Sequence, residues 1–146
     1  MEIREIKDRD IELLAKQIIN VLNAPPYGEH WTPKIAAKYL RTLLSYSPND
    51  CFCAVNNNKV VGAIFYTVRP YYLGNYAVIE EIFIEEKNRR KGYGKKLLEE
   101  SISQLKKRGV NGVTWKAKED ADTYSFGKKM GFTDLSEWKF LIKMLA

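Results

Sequence analysis

Glu80 and Glu81 stand side by side in the apolar run Val78-Ile-Glu-Glu-Ile-Phe-Ile84, and a basic turn, Arg89-Arg-Lys-Gly-Tyr-Gly94, follows it. Lys95-Lys-Leu-Leu-Glu-Glu100 then begins a stretch with helical spacing. A strand, a glycine-containing turn and a helix in that order can hold a pyrophosphate. The first N–H groups of a helix lack intrahelical partners, and the helix dipole adds partial positive charge there. Gly92 and Gly94 let the backbone turn sharply and approach an anion, while Arg89, Arg90, Lys91 and Lys95 surround the same point with charge. Taken alone, the glycine pair is equally a tight connection. It is neither the phosphate loop ending in Gly-Lys-Ser/Thr nor the three-glycine dinucleotide motif. The two glutamates alternate on a regular strand, so Glu80 shares a face with Val78, Ile82 and Ile84 and Glu81 with Ile79, Phe83 and Glu85. At most one of them then lines any one cavity.

The elements that must position these groups follow from pattern. Glu2–Ile6 reads as a strand with Ile3 and Ile6 inward. Asp8 or Asp10 caps a helix whose apolar face is Ile11, Leu14, Ile18, Val21 and Leu22, and Asn23-Ala-Pro-Pro26 stops it. Thr32-Pro33 opens a second helix with Ile35, Ala36, Tyr39, Leu40, Leu43 and Leu44 on its buried side, and Ser47-Pro-Asn-Asp50 ends it. Strands Cys51–Val55 and Lys59–Val68 flank Asn56-Asn-Asn58, a hairpin signal. Pro70–Gly74 turns into the strand Tyr76–Ile84. A helix from about Gly92 to Lys107, a strand Val110–Ala117, a short helix Ala121–Met130 and a closing strand Trp138–Met144 complete the chain. The predicted order is β-α-α-β-β-β-α-β-α-β, an α/β chain forming one domain over residues 1–146.

With 146 residues the chain can bury a core without staples. No apolar run reaches the roughly 20 residues of a membrane span, and the start has no signal-peptide core, so the expectation is a cytoplasmic protein without a membrane partner. The net charge of +6 is spread over several short clusters beside the proposed anion site. Steering of a polyanionic small molecule accounts for it, and nucleic acid is set aside as a partner. Cys51 and Cys53, two apart on one strand face, read as small buried hydrophobes, and the single His30 leaves too few ligands for zinc. No metal is expected.

Three motifs in the right order resemble the GNAT superfamily of acyl-CoA-dependent N-acyltransferases. Arg89-Arg90-Lys91-Gly92-Tyr93-Gly94 matches its Gln/Arg-x-x-Gly-x-Gly/Ala motif, Glu80–Ile84 its fourth strand, and Tyr124-Ser-Phe-Gly-Lys-Lys-Met-Gly-Phe132 its short helix ending in Lys-x-Gly-Phe. The resemblance runs from about Val60 to Phe132. It implies a mixed, twisted sheet with splayed central strands flanked by helices, and acetyl-CoA as co-substrate. It places the pantetheine arm against the backbone of Ile82, Phe83 and Ile84, and the pyrophosphate on Arg89, Arg90, Lys91, Gly92, Tyr93, Gly94 and Lys95.

The implied activity is transfer of an acetyl group to a primary amine of a small molecule, a protein or a peptide, by direct attack in a ternary complex. By resemblance Glu80 or Glu81 is the base; the alternatives are a carboxylate satisfied within the sheet or an anchor for the substrate ammonium. The family's usual acid, a tyrosine, falls at Gly127, which has no proton to give. Tyr124, one turn earlier, is the substitute candidate; it could equally pack or touch the cofactor, and water could protonate the thiolate. Tyr27, Glu29, His30 and Trp31, between the first two helices, could read the amine through a carboxylate and aromatic faces, with the core as the other destination for Tyr27 and Trp31. Tyr71-Tyr72 is a further pocket-wall candidate. The resemblance leaves the oligomeric state open, with a homodimer as one possibility because many relatives pair through sheet edges or the C-terminal strand. The competing class is a binding module that senses acyl-CoA without turnover, supported by Gly127.

Overall fold

The computed structural model describes residues 1–145. The chain forms two compact units, Met1–Lys116 and the segment from Ala117 onward. The first holds β1 (Glu2–Glu5), α1 (Ile11–Leu22), α2 (Pro33–Tyr46), β2 (Phe52–Asn56), β3 (Lys59–Tyr71), β4 (Gly74–Ile84), α3 (Tyr93–Lys107) and β5 (Val110–Trp115). Its sheet has the order β1-β2-β3-β4-β5, antiparallel throughout except for the parallel pair β4–β5. That is the mixed α/β sheet flanked by helices that the sequence implies.

Local chemistry sets these boundaries. Asn57 and Asn58 both take positive φ, 51° and 62°, as a two-residue hairpin turn between paired Asn56 and Lys59 requires. Thr32 caps α2, its hydroxyl accepting from the Ile35 N–H at 3.3 Å, with Pro33 at the first helical position. Before α1, the Asp10 carboxylate accepts from the Lys7 N–H at 2.8 Å and from both terminal nitrogens of Arg4 at 2.8 and 3.0 Å. Arg4 chiefly, through that hydrogen bond, holds the Asp10 carboxyl below its ordinary value.

Alternate residues of β3 sort onto the two faces of the sheet. Ala63 and Phe65 join Leu14, Ile18, Ala36, Leu40 and Phe83 in the core beneath α1 and α2. Tyr66 faces the other way, where its hydroxyl lies 2.8 Å from that of Ser101 on α3. Gly62 pairs with Ile84, and a Cβ there would stand 2.4 Å from the Phe83 carbonyl oxygen, so the close approach of β3 to the end of β4 needs glycine. Cys51 and Cys53 are buried free thiols as expected, and burial pushes them up to about 12 and about 11.

In the second unit α4 spans Asp122–Lys129. It ends on Gly131 at φ 93°, with the Phe132 N–H donating to the Gly127 carbonyl at 3.0 Å and the Gly131 N–H to Lys128 at 3.2 Å. This satisfies the last carbonyls of the helix. The closing strand expected at Trp138–Met144 does not form; that segment is irregular and exposed. No helix among the described residues is long and apolar enough to cross a membrane.

Candidate functional site

The register of β3 with β4 contains one irregularity, and it falls on the glutamates. Tyr66 pairs with Ile79 and Phe65 with Glu81, leaving Glu80 as an extra residue. This is a β-bulge. Before it, Ile79 shares the α3 face with Tyr66; after it, Glu81 and Phe83 share the α1–α2 face with Phe65 and Ala63. The expected grouping of Ile79 with Glu81 and Phe83 is therefore broken. Glu80 turns to the α1–α2 face as well, since its Oε1 accepts from the Thr67 hydroxyl at 3.2 Å and Thr67 pairs with Val78. The expectation that at most one of the two lines a cavity is corrected: the bulge puts both on the same face.

Glu81 is half-buried and has no hydrogen-bond partner among the described residues. Burial first, then the charges of Glu29 and Glu80, push its carboxyl up to about 8, with Lys116 pulling the other way. A carboxyl near 8 changes charge at working pH.

Glu29 comes from the connection between α1 and α2. Asn23 clamps that loop, its Oδ1 accepting from the Trp31 N–H at 2.8 Å and its Nδ2 donating to the Trp31 carbonyl at 3.0 Å. The Trp31 indole N–H donates to Glu29 Oε1 at 2.8 Å. Tyr27 and Trp31 also pack against the core. The anchoring expected of Trp31 is thus present, and its indole also holds Glu29. His30 is exposed. Tyr39 on α2 meets Trp31 with ring centroids 5.0 Å apart. Sequence pattern gave Tyr39 only a core position, and no spacing rule marks it otherwise.

Tyr71 and Tyr72 do not join this group. They sit at the β3–β4 turn, where Tyr71 packs on Tyr76 and Arg69 lies over the Tyr76 ring. Glu80 lies six steps along the strand from Gly74, about 20 Å at strand rise. An open groove of about 720 Å³ on the outer side of α1 and α2, lined by Glu12, Lys34, Lys38 and Arg41, shares no residue with the carboxylates.

Beyond the bulge β4 also loses its other neighbour. Pairing with β5 stops at Ile79 and Trp115, so Glu80–Ile84 has β3 on one side and, among the described residues, no strand on the other. Ile82, Phe83 and Ile84 therefore carry an unladdered edge, as a backbone-pairing ligand needs. Arg89 is tied to the end of β4, its Nε donating to the Ile84 carbonyl at 2.9 Å. Arg90 takes φ 61° and Gly92 φ 80°, and α3 then starts on Gly92 with no side-chain cap. Nothing lies within 4 Å of the place a Gly92 Cβ would occupy. Arg90, Lys91 and Lys95 are exposed and make no ion pair among the described residues. Open donors, a bare glycine surface and unpaired cations fit a pyrophosphate.

In the second unit, the Tyr124 hydroxyl donates to both Asp134 oxygens at 3.0 Å, and Lys128 Nζ lies 3.3 Å from the same carboxylate. That hydrogen bond raises the Tyr124 pKa.

The fold is thus an α/β domain whose mixed sheet opens along β4, with the glycine turn and the start of α3 following that strand. The sequence matches the family described as "Acetyltransferase (GNAT) family" over residues 16–132, and the chain belongs to that family. It is 34% identical over 88 residues to the L-ornithine N5-acetyltransferase NATA1 of Arabidopsis thaliana, a match covering 58% of this chain and 39% of that protein. It is similar in structure to a possible acetyltransferase from Clostridium difficile 630, with TM-score 0.84, 18% identity and coverage of 99% and 98% of the two chains. A predicted acetyltransferase with acetyl-CoA from Clostridium acetobutylicum gives TM-score 0.71 at 22% identity, covering 97% of this chain and 95% of that one. At these identities the solved structures speak for the fold.

Proposed function

We propose that this protein transfers the acetyl group of acetyl-CoA to the primary amine of a small cationic acceptor. The observation that carries the reading is the bulge at Glu80, which gathers Glu80 and Glu81 on the face toward which Glu29 also acts. Three carboxylates in one region favour an ammonium, despite the basic total charge of the chain. The relative that acts on ornithine supports a small acceptor over a protein or peptide.

The chemistry follows from the same groups. The acceptor enters as an ammonium, held by Glu80 and Glu81. Glu81, with its carboxyl near 8, takes a proton from the ammonium, and the free amine attacks the thioester carbonyl. The unladdered backbone of Ile82–Ile84 supplies an N–H to the developing oxyanion. The C–S bond breaks, and the thiolate leaves. The attacking nitrogen gives up its second proton, which a water relays to the thiolate, because the Tyr124 hydroxyl already donates to Asp134. Arg90, Lys91, Lys95 and the start of α3 hold the pyrophosphate. Exposed Trp138, Phe140, Leu141, Ile142 and Met144 support pairing of two copies as a homodimer, which sedimentation checks.

Thiol release from acetyl-CoA against an amine panel that includes ornithine tests the activity, with thermal shift by acetyl-CoA alongside. Stabilisation with thiol release for a cationic amine is expected. Stabilisation without release for any amine would instead indicate the acyl-CoA sensor.

A further inference from the structure

Tyr39 is set apart from its neighbours on α2. Ala36, Leu40 and Leu43 are buried, whereas Tyr39 is half-buried, with its ring tilted against Trp31. Its hydroxyl has no hydrogen-bond partner among the described residues. Burial first, then the charges of Glu81, Glu80 and Glu29, keep this phenol neutral far above its ordinary range. Tyr39 packs against the core cluster that holds Phe65 and Phe83, and Phe65 is the pairing partner of Glu81, which makes no hydrogen bond among the described residues. An alkylammonium carries three N–H donors. Glu80 and Glu81 supply two acceptors, and a neutral phenol oxygen beside them can supply the third. The ring, already paired with Trp31, offers an apolar face with negative quadrupole to the carbons and charge behind that nitrogen.

We infer that Tyr39 is a substrate-binding residue: its hydroxyl oxygen accepts a hydrogen bond from the acceptor ammonium held by Glu80 and Glu81, and its ring covers the adjoining methylene groups. This rests on the acetyl-transfer reading above and adds a residue to it. A Tyr39 that only packs on Trp31 would have no use for its oxygen.

Tyr39→Phe keeps the ring and removes that atom. Ornithine and 1,4-diaminobutane serve as probes, read by steady-state kinetics and by calorimetric binding to the whole protein. The expected result is an amine KM and Kd raised about tenfold, with the KM of acetyl-CoA and the melting temperature unchanged. Tyr39→Leu, which loses ring and oxygen, should raise the amine KM further. An unchanged amine KM and Kd in Tyr39→Phe overturns the assignment. So does a parallel shift of the amine KM, the acetyl-CoA KM and the melting temperature, which marks a packing role. Wild type that binds the probes and transfers no acetyl group overturns the reaction while the Kd ratio still judges Tyr39. Wild type that binds neither probe overturns both.

Discussion

The two halves of β4 make opposite use of one strand. From Asn75 to Ile79 it is laddered on both sides, to β3 and to β5, and its side chains alternate regularly. From Glu80 to Ile84 it keeps β3 alone, and the bulge has rephased its side chains. The first half is scaffold: Ala77 and Ile79 are buried and no chemistry attaches to them. The second half carries free backbone on its edge and two carboxylates on one face. A single extra residue thus separates the structural segment from the one proposed to carry the chemistry, in keeping with the tendency of bulges to re-aim side chains near active sites.

The largest effect should come from the chemical half. Glu81→Gln is expected to lower kcat about 100-fold or more, and to remove the rise of kcat/KM with pH that a carboxyl near 8 imposes. A pH–rate profile checks this. The same variant has a stability consequence whose sign is fixed. Folding raises the Glu81 carboxyl from 4.5 to about 8, so between those values the folded state binds more proton than the unfolded one. Wild type therefore loses stability as pH rises through that window, and Glu81→Gln should not share this loss. Melting curves of the pair at pH 5 and pH 8 (roughly the ends of that window) should diverge.

Next in size is the junction of the halves with β3. Gly62→Ala forces a Cβ onto the Phe83 carbonyl, and a loss of about 1–3 kcal/mol in denaturant unfolding is expected. Gly92→Ala meets no atom but must hold φ 80°, a strain of about 1–2 kcal/mol. Its expected signature is a KM for acetyl-CoA raised several-fold with the amine KM unmoved, which separates the anion end from the carboxylate end. Tyr124→Phe should change least, with turnover within about twofold of wild type, because its hydroxyl already donates to the Asp134 carboxylate. A hundredfold loss there would return Tyr124 to the role of acid.

Much of the frame was legible in the sequence because local chemistry dictates it. The asparagine hairpin, the Thr32-Pro33 cap and the glycine turn before α3 are decided by backbone sterics and orphan N–H groups within a few residues. The bulge was not legible. Strict alternation is the only rule a strand pattern offers, and whether Glu80 is paired depends on β3, which no local residue encodes. The error about the two glutamates follows directly from that. Trp138–Met144 shows the same limit: its composition suits a strand, but pairing is not encoded in composition, and the segment is irregular. Tyr39 was hidden because a half-buried aromatic on a helix looks like core until the neighbouring strand's charges are known.

The most direct test of the central claim is a carboxyl titration of Glu81 by carbon NMR, assigned with Glu81→Gln and repeated with ornithine. A midpoint near 8 in the free protein is predicted, with a fall when the cationic amine binds beside it. A midpoint at the ordinary 4.5, unmoved by ornithine, would contradict the account and leave Glu81 a satisfied residue of the sheet.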